Sequence, residues 1–198
     1  MWVVRPQYLI FRPLRQTCVG VSENPMLRSR TSGWPVGPFA TELPRLITMT
    51  LRPANAGDAP SAAALLLASR KAFQAYAPLA HSDDEVRRWM RDVLIPSGGV
   101  TLACDNHAVV GILAISQDEA RIGWIEQLHL LPGHTSRGIG QHLLNHALAS
   151  LPRPIRLYTF QANTRARAFY ERNRYKPIAF SDGSTNEERC PDVLYELL

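Results

Sequence analysis

After an irregular beginning, the chain shows two hydrophobic patterns typical of α-helices. The Ala- and Leu-rich run Ala62–Ala68 predicts a helix that Asp58 caps and that extends to about Phe73. The segment Ser82–Glu85 has the sequence of a capping box, which predicts where a second helix begins. The apolar residues that follow share one helical face: Val86, Trp89, Met90, Val93 and Leu94. Pro96 then ends this helix.

The rest of the chain is dominated by patterns typical of β-strands. The predicted strands are Thr50–Ala54, Val100–Cys104, Val109–Ile115, Ile122–Leu131, Ile155–Gln161, Tyr175–Phe180 and Val193–Leu197. A helix that begins near Gly140 separates the fourth and fifth strands, and this order predicts a parallel pair with a right-handed connection. A short helix capped by Asn163 and ending at Asn173 follows the fifth strand. The predicted fold class is α/β, a mixed sheet of about seven strands flanked by about four helices.

Residues 1–48 show neither a helical nor a strand period, and six prolines interrupt them. We predict a disordered N-terminal extension followed by one domain at residues 49–198. The Arg-rich, acid-poor composition also suits an organellar transit peptide, although the helical amphipathicity of such peptides is missing. We favour the simpler interpretation that the start codon is assigned too early and that Met49 is the true first residue.

Charge is distributed unevenly along the chain. The net charge is +5, and residues 1–48 contribute six Arg and two acids, or 6 − 2 = +4. The remaining residues carry 16 basic and 15 acidic groups, or +1, so no basic groove for a nucleic-acid partner is expected. Three widely spaced cysteines argue against a disulfide scaffold and favour a reducing, cytoplasmic location. No apolar run reaches the roughly 20 residues of a membrane helix, so no membrane partner is expected.

The segment between the fourth strand and the next helix has the features of an anion site. It ends in Arg137-Gly138-Ile139-Gly140, and the helix begins in or just after it. The first N–H groups of a helix are unpaired and carry partial positive charge, and glycine lets backbone approach a ligand closely. These features suit a phosphate or pyrophosphate. A dinucleotide-binding motif is excluded because Leu143 occupies the place of its third glycine, and no Lys completes a Walker loop.

This loop and a second motif resemble the GNAT superfamily of N-acetyltransferases. The loop resembles the family's coenzyme A pyrophosphate motif, [QR]-x-x-G-x-[GA], with Thr135 in place of the usual Gln or Arg. The second motif resembles N-x-x-A-x-x-F-Y-x-x-x-G-F. Its matching residues are Asn163, Ala166, Phe169 and Tyr170. Arg174-Tyr175 replaces the usual Gly-Phe, and we expect Asn173 to take the left-handed conformation because it tolerates that conformation better.

The resemblance implies an enzyme that moves an acetyl group from acetyl-CoA, its co-substrate, to a primary amine by direct attack. It assigns the backbone of Leu130 to the pantetheine and residues Arg137, Gly138, Ile139 and Gly140 to the pyrophosphate. Asn163 is assigned to the same ligand. The implied acceptor is the amine of a small molecule or a peptide, and many family members pair as homodimers.

Two side chains are candidates for acid–base chemistry. The resemblance makes Tyr170 the general acid that protonates the departing thiolate; without it, a buried aromatic residue is the simpler interpretation. Glu126 is the candidate base, because a carboxylate in a strand that shares a face with Trp124, Leu128 and Leu130 would have a raised pKa. A solvent-facing Glu is an equal alternative. His129 is a weaker candidate on the opposite face.

Other clusters are weaker. His142 and His146 have the i, i+4 spacing of a zinc pair, but no H-E-x-x-H motif accompanies them and we predict no metal. The acids of the loop before the last strand would suit a cationic acceptor, and we favour a solvated acidic loop; they are Glu187, Glu188 and Asp192. The substitutions at Thr135 and Arg174 keep an alternative function open, a catalytically weak CoA-binding sensor or interaction module.

Overall fold

The computed structural model describes residues 49–72 and 78–198. The predicted N-terminal extension therefore lies outside the described residues, and so does the predicted end of the first helix at Phe73.

Seven strands of the described residues form one sheet in the order β1-β2-β3-β4-β5-β7-β6. Their bounds are β1 Met49–Pro53, β2 Val100–Asp105, β3 Ala108–Gln117, β4 Gly123–Leu130, β5 Ile155–Phe160, β6 Lys176–Ser181 and β7 Asp192–Leu197. Strands β4 and β5 are parallel, whereas every other neighbouring pair is antiparallel. The predicted fold class is confirmed, including the parallel pair at the fourth and fifth strands.

Four α-helices lie in the described ranges: α1 Ala59–Lys71, α2 Asp83–Trp89, α3 Ile139–Ser150 and α4 Thr164–Arg172. The capping box predicted for α2 is present, since the Ser82 hydroxyl accepts from the Glu85 N–H and the Glu85 carboxylate accepts from the Ser82 N–H at 2.8 Å. A π-helical turn, Met90–Leu94, continues α2 as far as Pro96. None of the described helices is long and apolar enough to cross a membrane.

Asp58 precedes α1 as predicted, but it does not cap that helix with its side chain. Its carboxylate instead accepts two hydrogen bonds from the Arg52 guanidinium, each of 2.7 Å, and one from the Asn55 N–H at 2.8 Å. Arg52 is the main reason that the pKa of the Asp58 carboxyl lies below its usual range. The capping prediction is wrong because a bidentate guanidinium is a stronger partner than a single backbone N–H.

The two faces of the sheet bury separate hydrophobic clusters. Helices α3 and α4 cover one face, where the cluster includes Leu113, Ile125, Leu128, Leu143, Leu144, Leu157, Phe169 and Tyr170. Helices α1 and α2 cover the other, with Leu65, Leu66, Val86, Met90, Leu102 and Ile112. Strand β3 contributes to both clusters, as expected for a strand covered on both faces.

A β-bulge in β4 changes which of its side chains share a face. Ala114 pairs with Gln127 and Ile115 pairs with Ile125, so Glu126 is an extra residue in the ladder. Strict alternation would place Ile125 and Leu128 on opposite faces, yet both belong to the cluster under α3 and α4. The predicted grouping of Glu126 with Leu128 and Leu130 is therefore wrong. The extra residue places Glu126 on the α1–α2 face, together with His129.

Helix α4 ends in a Schellman motif. The Tyr175 N–H donates to the Tyr170 carbonyl and the Arg174 N–H donates to the Glu171 carbonyl, both at 3.0 Å. This pattern requires a left-handed residue at position 174, and Arg174 has φ 67°. Asn173 has φ −91°, so the prediction that it would take the left-handed conformation is wrong. The strained Arg174 costs about 1 kcal/mol relative to glycine.

The acidic loop between β6 and β7 is tied to α1 rather than solvated. The Glu188 carboxylate is 4% exposed and accepts a 2.5 Å hydrogen bond from the Arg70 guanidinium near the end of α1. Glu187 lies 2.7 Å from the His81 ring nitrogen. The favoured interpretation of a solvated loop is therefore wrong, because Arg70 and His81, from a distant part of the chain, pair with these carboxylates.

Replacing Glu188 with Gln tests this tie. The change leaves the Arg70 guanidinium buried without its counter-charge, and we expect the free energy of unfolding to fall by about 3 kcal/mol. Urea denaturation of the two proteins measures the difference. Asp83→Asn is the matched control, since Asp83 pairs with Lys71 at an exposed position, and it should be indistinguishable from the wild type. An equally small effect of Glu188→Gln would contradict the importance of the buried pair.

Candidate active site

The site begins where β4 and β5 separate. These parallel strands pair only at their first residues, Gly123 with Ile155 and Trp124 with Arg156. The Leu131 N–H donates to Val110 of β3 at 2.9 Å, and successive N–H groups of a strand point to opposite edges. The N–H of Leu130 therefore points toward β5. The separation leaves a gap in the sheet, lined on one side by backbone groups that no strand pairs.

The segment from β4 to α3 closes one end of this gap with backbone donors. Gly138 is the N-cap of α3 and has φ 81°, a conformation that glycine adopts at little cost. Its carbonyl accepts from the N–H groups of Gln141 and His142 at 2.9 and 3.1 Å, which fixes the first turn of the helix. The N–H groups that precede Gln141 are the helix-start donors without an intrahelical partner. The helix start that the sequence predicts in this loop is therefore present, with Gly138 as its N-cap.

A cavity of about 230 Å³ lies between this loop and α4. Its lining residues come from β4, the loop, α3 and α4: Leu130, Thr135, Ser136, Gly138, Gly140, Gln141, Arg165, Phe169 and Arg172. Of the predicted ligand-binding residues, Leu130, Gly138 and Gly140 line it. Arg137 and Ile139 belong to the same loop but are not lining residues; Arg137 is exposed, and the Ile139 side chain is 2% exposed in the core.

Three buried polar groups lie on β5 and α4, on the far side of the gap. The Thr159 hydroxyl, the Asn163 side-chain NH₂ and the Tyr170 hydroxyl have no hydrogen-bond partner among the described residues. The other amide atom of Asn163, its Oδ1, caps α4 by accepting from the Ala166 N–H at 3.1 Å. Buried polar groups are normally paired, and none of these three residues is among those that line the cavity.

Tyr170 is fully buried among other aromatic rings. Its ring lies 5.2 Å from Phe169, 5.6 Å from Tyr175 and 6.3 Å from Tyr195, measured between centroids. Burial, and to a smaller degree the charge of Tyr175, holds the pKa of the Tyr170 phenol well above its ordinary value. Tyr170 therefore keeps its proton at any working pH. The same raised pKa makes it a weaker proton donor than an exposed tyrosine.

Glu126 lies at the bulge, just beyond the point where β4 leaves β5. The side chain is half-buried, and its carboxylate accepts a 2.5 Å hydrogen bond from the Ser116 hydroxyl of β3. His129 follows on the same face, where it is fully buried and lies 2.6 Å from the Gln127 side-chain oxygen. Burial, with the nearby Arg70 charge, holds the pKa of His129 well below its usual range, so this imidazole is neutral.

Sequence reasoning missed several lining residues, chiefly the two arginines of α4. Arg165, Phe169 and Arg172 are spaced i, i+4 and i+7, which places them on one helical face. The cap at Asn163 fixes where α4 begins, so this face could have been found from the sequence once Asn163 was assigned. Thr135 was noted only as a departure from the family motif, yet it lines the cavity.

The predicted histidine pair behaves as ordinary surface and packing residues. His142 is exposed, whereas His146 is half-buried and lies 3.2 Å from the Thr101 hydroxyl. Among residues 49–72 and 78–198, no group of three His, Cys, Asp or Glu side chains could hold a metal ion.

Comparison with known proteins identifies the family. Residues 66–174, more than half of the chain, match the sequence profile of the Acetyltransferase (GNAT) family, and the chain belongs to that family. No curated protein matches the chain.

Solved structures share the fold at low sequence identity. The PaiA N-acetyltransferase of Thermoplasma acidophilum, solved with coenzyme A, is 20% identical, with 76% of this chain and 98% of that chain covered and a TM-score of 0.59. Naa50 of Arabidopsis thaliana, solved with the bisubstrate analogue CoA-Ac-MVNAL, is 20% identical, with coverages of 77% and 99% and a TM-score of 0.59. An acetyltransferase from Thermus thermophilus is also 20% identical, with coverages of 77% and 97% and a TM-score of 0.61.

The buried state of Tyr170 has a consequence for stability. Because its pKa is raised in the folded protein, its contribution is present below about pH 10 and is lost as pH rises toward the folded pKa. We expect Tyr170→Phe to weaken this alkaline loss of stability. At neutral pH the substitution should change the free energy of unfolding by less than about 1 kcal/mol, because the hydroxyl has no partner to lose.

Urea denaturation of wild type and Tyr170→Phe at neutral pH and at about pH 10.5 measures both effects. Tyr175, whose pKa burial also raises, contributes the same sign, so some alkaline loss should persist in the variant. A neutral-pH loss of more than about 2 kcal/mol would show that the Tyr170 hydroxyl is paired inside the protein.

Proposed function

We propose that the protein transfers an acetyl group from acetyl-CoA to a primary amine. The observation that carries this proposal is the coincidence, in one member of the GNAT family, of the gap between β4 and β5 with the glycine loop that closes it. Two proteins of the same fold, PaiA and Naa50, were solved with coenzyme A and with a CoA-Ac-MVNAL conjugate. The catalytic unit in this proposal is residues 49–198.

The described residues suit each part of the co-substrate. The Leu130 backbone, on the open edge of β4, pairs with the pantetheine as an added strand would. Asn163 offers its unpartnered NH₂ group to the same arm. The loop residues Arg137, Gly138, Ile139 and Gly140 hold the pyrophosphate through their N–H groups and the start of α3. Acetyl-CoA supplies a thioester, which is the activated acetyl group.

Glu126 is the proposed general base. The amine must lose its proton to attack, and a half-buried carboxylate beside the gap can accept that proton directly or through water. The hydrogen bond from Ser116 holds the carboxylate in one position. Because the bulge places Glu126 on the α1–α2 face, the acceptor amine approaches from that face, opposite to the phosphate loop beside α3 and α4.

Tyr170 is the proposed general acid for the departing sulfur. The reference pKa values of a tyrosine and a thiol, about 10 and 8.5, already make this transfer uphill by about 2 kcal/mol. Burial of the phenol adds to that difference. The proposal therefore requires that the sulfur first receive a hydrogen bond from the phenol, with the proton passing over as the carbon–sulfur bond breaks.

The acceptor remains the open part of this function. The amine of a small molecule and the terminus of a peptide are both compatible with it, and the CoA-Ac-MVNAL complex shows that the fold admits a peptide conjugate in Naa50. One observation favours a second candidate, a CoA-binding sensor or interaction module: the Tyr170 hydroxyl is sealed from solvent. Homodimer formation, a cytoplasmic location and the lack of nucleic-acid and membrane partners stay predictions.

The loop can be tested with Gly138→Val. A valine at φ 81° is strained and would shift the backbone that lines the cavity, so we expect acetyl-CoA to bind at least about tenfold more weakly by calorimetric titration. Gly133→Val is the matched control, because Gly133 has φ 85° in the same segment but does not line the cavity. If folded wild-type protein does not bind acetyl-CoA at all, the proposed function is wrong.

The acid is tested with Tyr170→Phe. General acid catalysis typically contributes 10²- to 10⁴-fold, so we expect kcat to fall by about 100-fold while acetyl-CoA affinity stays the same. Turnover is measured on whichever amine an acceptor screen identifies. The matched control is Tyr175→Phe, which removes a neighbouring buried hydroxyl that also lacks a partner among the described residues, and its kcat should be unchanged. Equal rates in the two variants would remove Tyr170 from the chemistry, and binding without turnover on any amine would favour the module.

A further inference from the structure

The positive charge that lines the cavity beside the glycine loop comes from one element, helix α4. Its charged lining residues are Arg165 and Arg172, both on α4, and its other lining residues are neutral. Within residues 49–72 and 78–198, neither guanidinium forms an ion pair with a carboxylate. Arginines that face a cavity without an acidic neighbour are suited to phosphate, whose oxygens match the geometry of the guanidinium donors.

Helix α4, which carries these arginines, has a defined start and is joined to α3 at its end. The Asn163 cap holds the N-terminal end of the helix. At the other end, the Gln141 side chain in the first turn of α3 donates to the Asn173 side chain at 2.8 Å. Phe169 lies between the two arginines on the same face and contributes apolar surface to the cavity. The backbone positions from which the two arginine side chains extend are therefore fixed relative to the loop.

Their positions along the helix differ. The Arg165 guanidinium donates to the Ser136 hydroxyl at 2.8 Å, and Ser136 directly precedes the Arg137–Gly140 loop. Arg172 lies seven residues further on, which is about 10 Å along the helix axis. In the described part of the chain, Arg172 has no hydrogen-bond partner. One cation therefore sits at the loop, and the other is available about two turns away.

The negative charge of coenzyme A is large enough to require both arginines as counter-charges. Its pyrophosphate carries about two negative charges and its 3′-phosphate monoester carries about 1.5 to 2 more near neutral pH. The N-terminus of α3 supplies the equivalent of roughly half a positive charge. Thr135 is neutral; Arg137, Arg165 and Arg172 are all exposed, but only the two arginines of α4 line the cavity. Backbone donors alone therefore leave most of the phosphate charge without compensation.

We propose that the two arginines of α4 divide the phosphates of coenzyme A between them. Arg165 binds the pyrophosphate beside the loop, and Arg172 binds the 3′-phosphate and so selects coenzyme A over ligands that lack this group. The inference rests on the proposed function, since it names the residues that recognise the co-substrate. In this proposal the cationic side chains that bind phosphate lie on α4, whereas the sequence motif places them in the loop.

The test is a cycle of variants against two ligands, measured by calorimetry on the full chain. The ligands are coenzyme A and 3′-dephospho-coenzyme A, which differ only in the 3′-phosphate. We expect Arg172→Gln to weaken coenzyme A binding about tenfold and to leave 3′-dephospho-coenzyme A unchanged. Arg165→Gln should weaken both ligands about equally. The control is Arg88→Gln on α2, which removes one exposed positive charge away from the cavity and should change neither affinity.

Each outcome separates this inference from the proposed function. Wild-type protein that is folded but binds neither ligand overturns the proposed function. Wild-type protein that binds both equally, or an Arg172→Gln variant that loses both or neither, overturns the assignment of the 3′-phosphate while the function stands. An Arg165→Gln variant that loses only coenzyme A would reverse the two roles and so contradict the proposal. A general charge effect would appear as an equal loss in Arg88→Gln.

Discussion

The separation of two parallel strands is the constraint on which the site depends. Backbone N–H and C=O groups inside a protein must find partners, and β4 and β5 leave theirs without a strand after only two residue pairs. The bulge at Glu126 falls just past this point and turns the carboxylate to the α1–α2 face. The unpartnered groups of Thr159, Asn163 and Tyr170 face the same problem from the β5 side. In the proposed function, the pantetheine arm of acetyl-CoA pairs with the open edge of β4 and with Asn163.

Local chemistry made much of the fold predictable. The capping box at Ser82 and the Asn163 cap each depend on a few neighbouring residues, and each forms as the sequence indicates. The bulge could not be predicted in the same way. Ile125 is the one apolar residue out of phase with Leu128 and Leu130, and a single such residue does not mark where an extra residue enters the ladder. The face assigned to Glu126 was wrong for that reason, whereas His129 lies opposite Leu128 and Leu130 as predicted.

Interactions between distant parts of the chain account for the other errors. The carboxylate of Glu188 was predicted to be solvated because nothing near it in sequence offers a buried cation, and its partner Arg70 is 118 residues away. Arg174 replaces a glycine, and sequence propensity favoured a shift of the strain to Asn173. The Schellman hydrogen bonds at the end of α4 instead determine which residue is left-handed, because their pattern requires that conformation at Arg174. The cavity-lining Arg165 and Arg172 of α4 were missed because the motif match considered only the positions that the motif specifies. The residues that line the cavity are instead those that share one face of the helix.

The long separation of Arg70 and Glu188 also bears on how the protein acquires its structure. Until Glu188 has left the ribosome, burial of the Arg70 guanidinium would cost several kcal/mol without compensation. During synthesis α1 therefore docks late at its C-terminal end, even though it is among the first elements made. Contacts of such long range slow folding, because a large loop must close before they form. The loop between β6 and β7 thus supplies the contact that the C-terminal end of α1 needs before it can be buried.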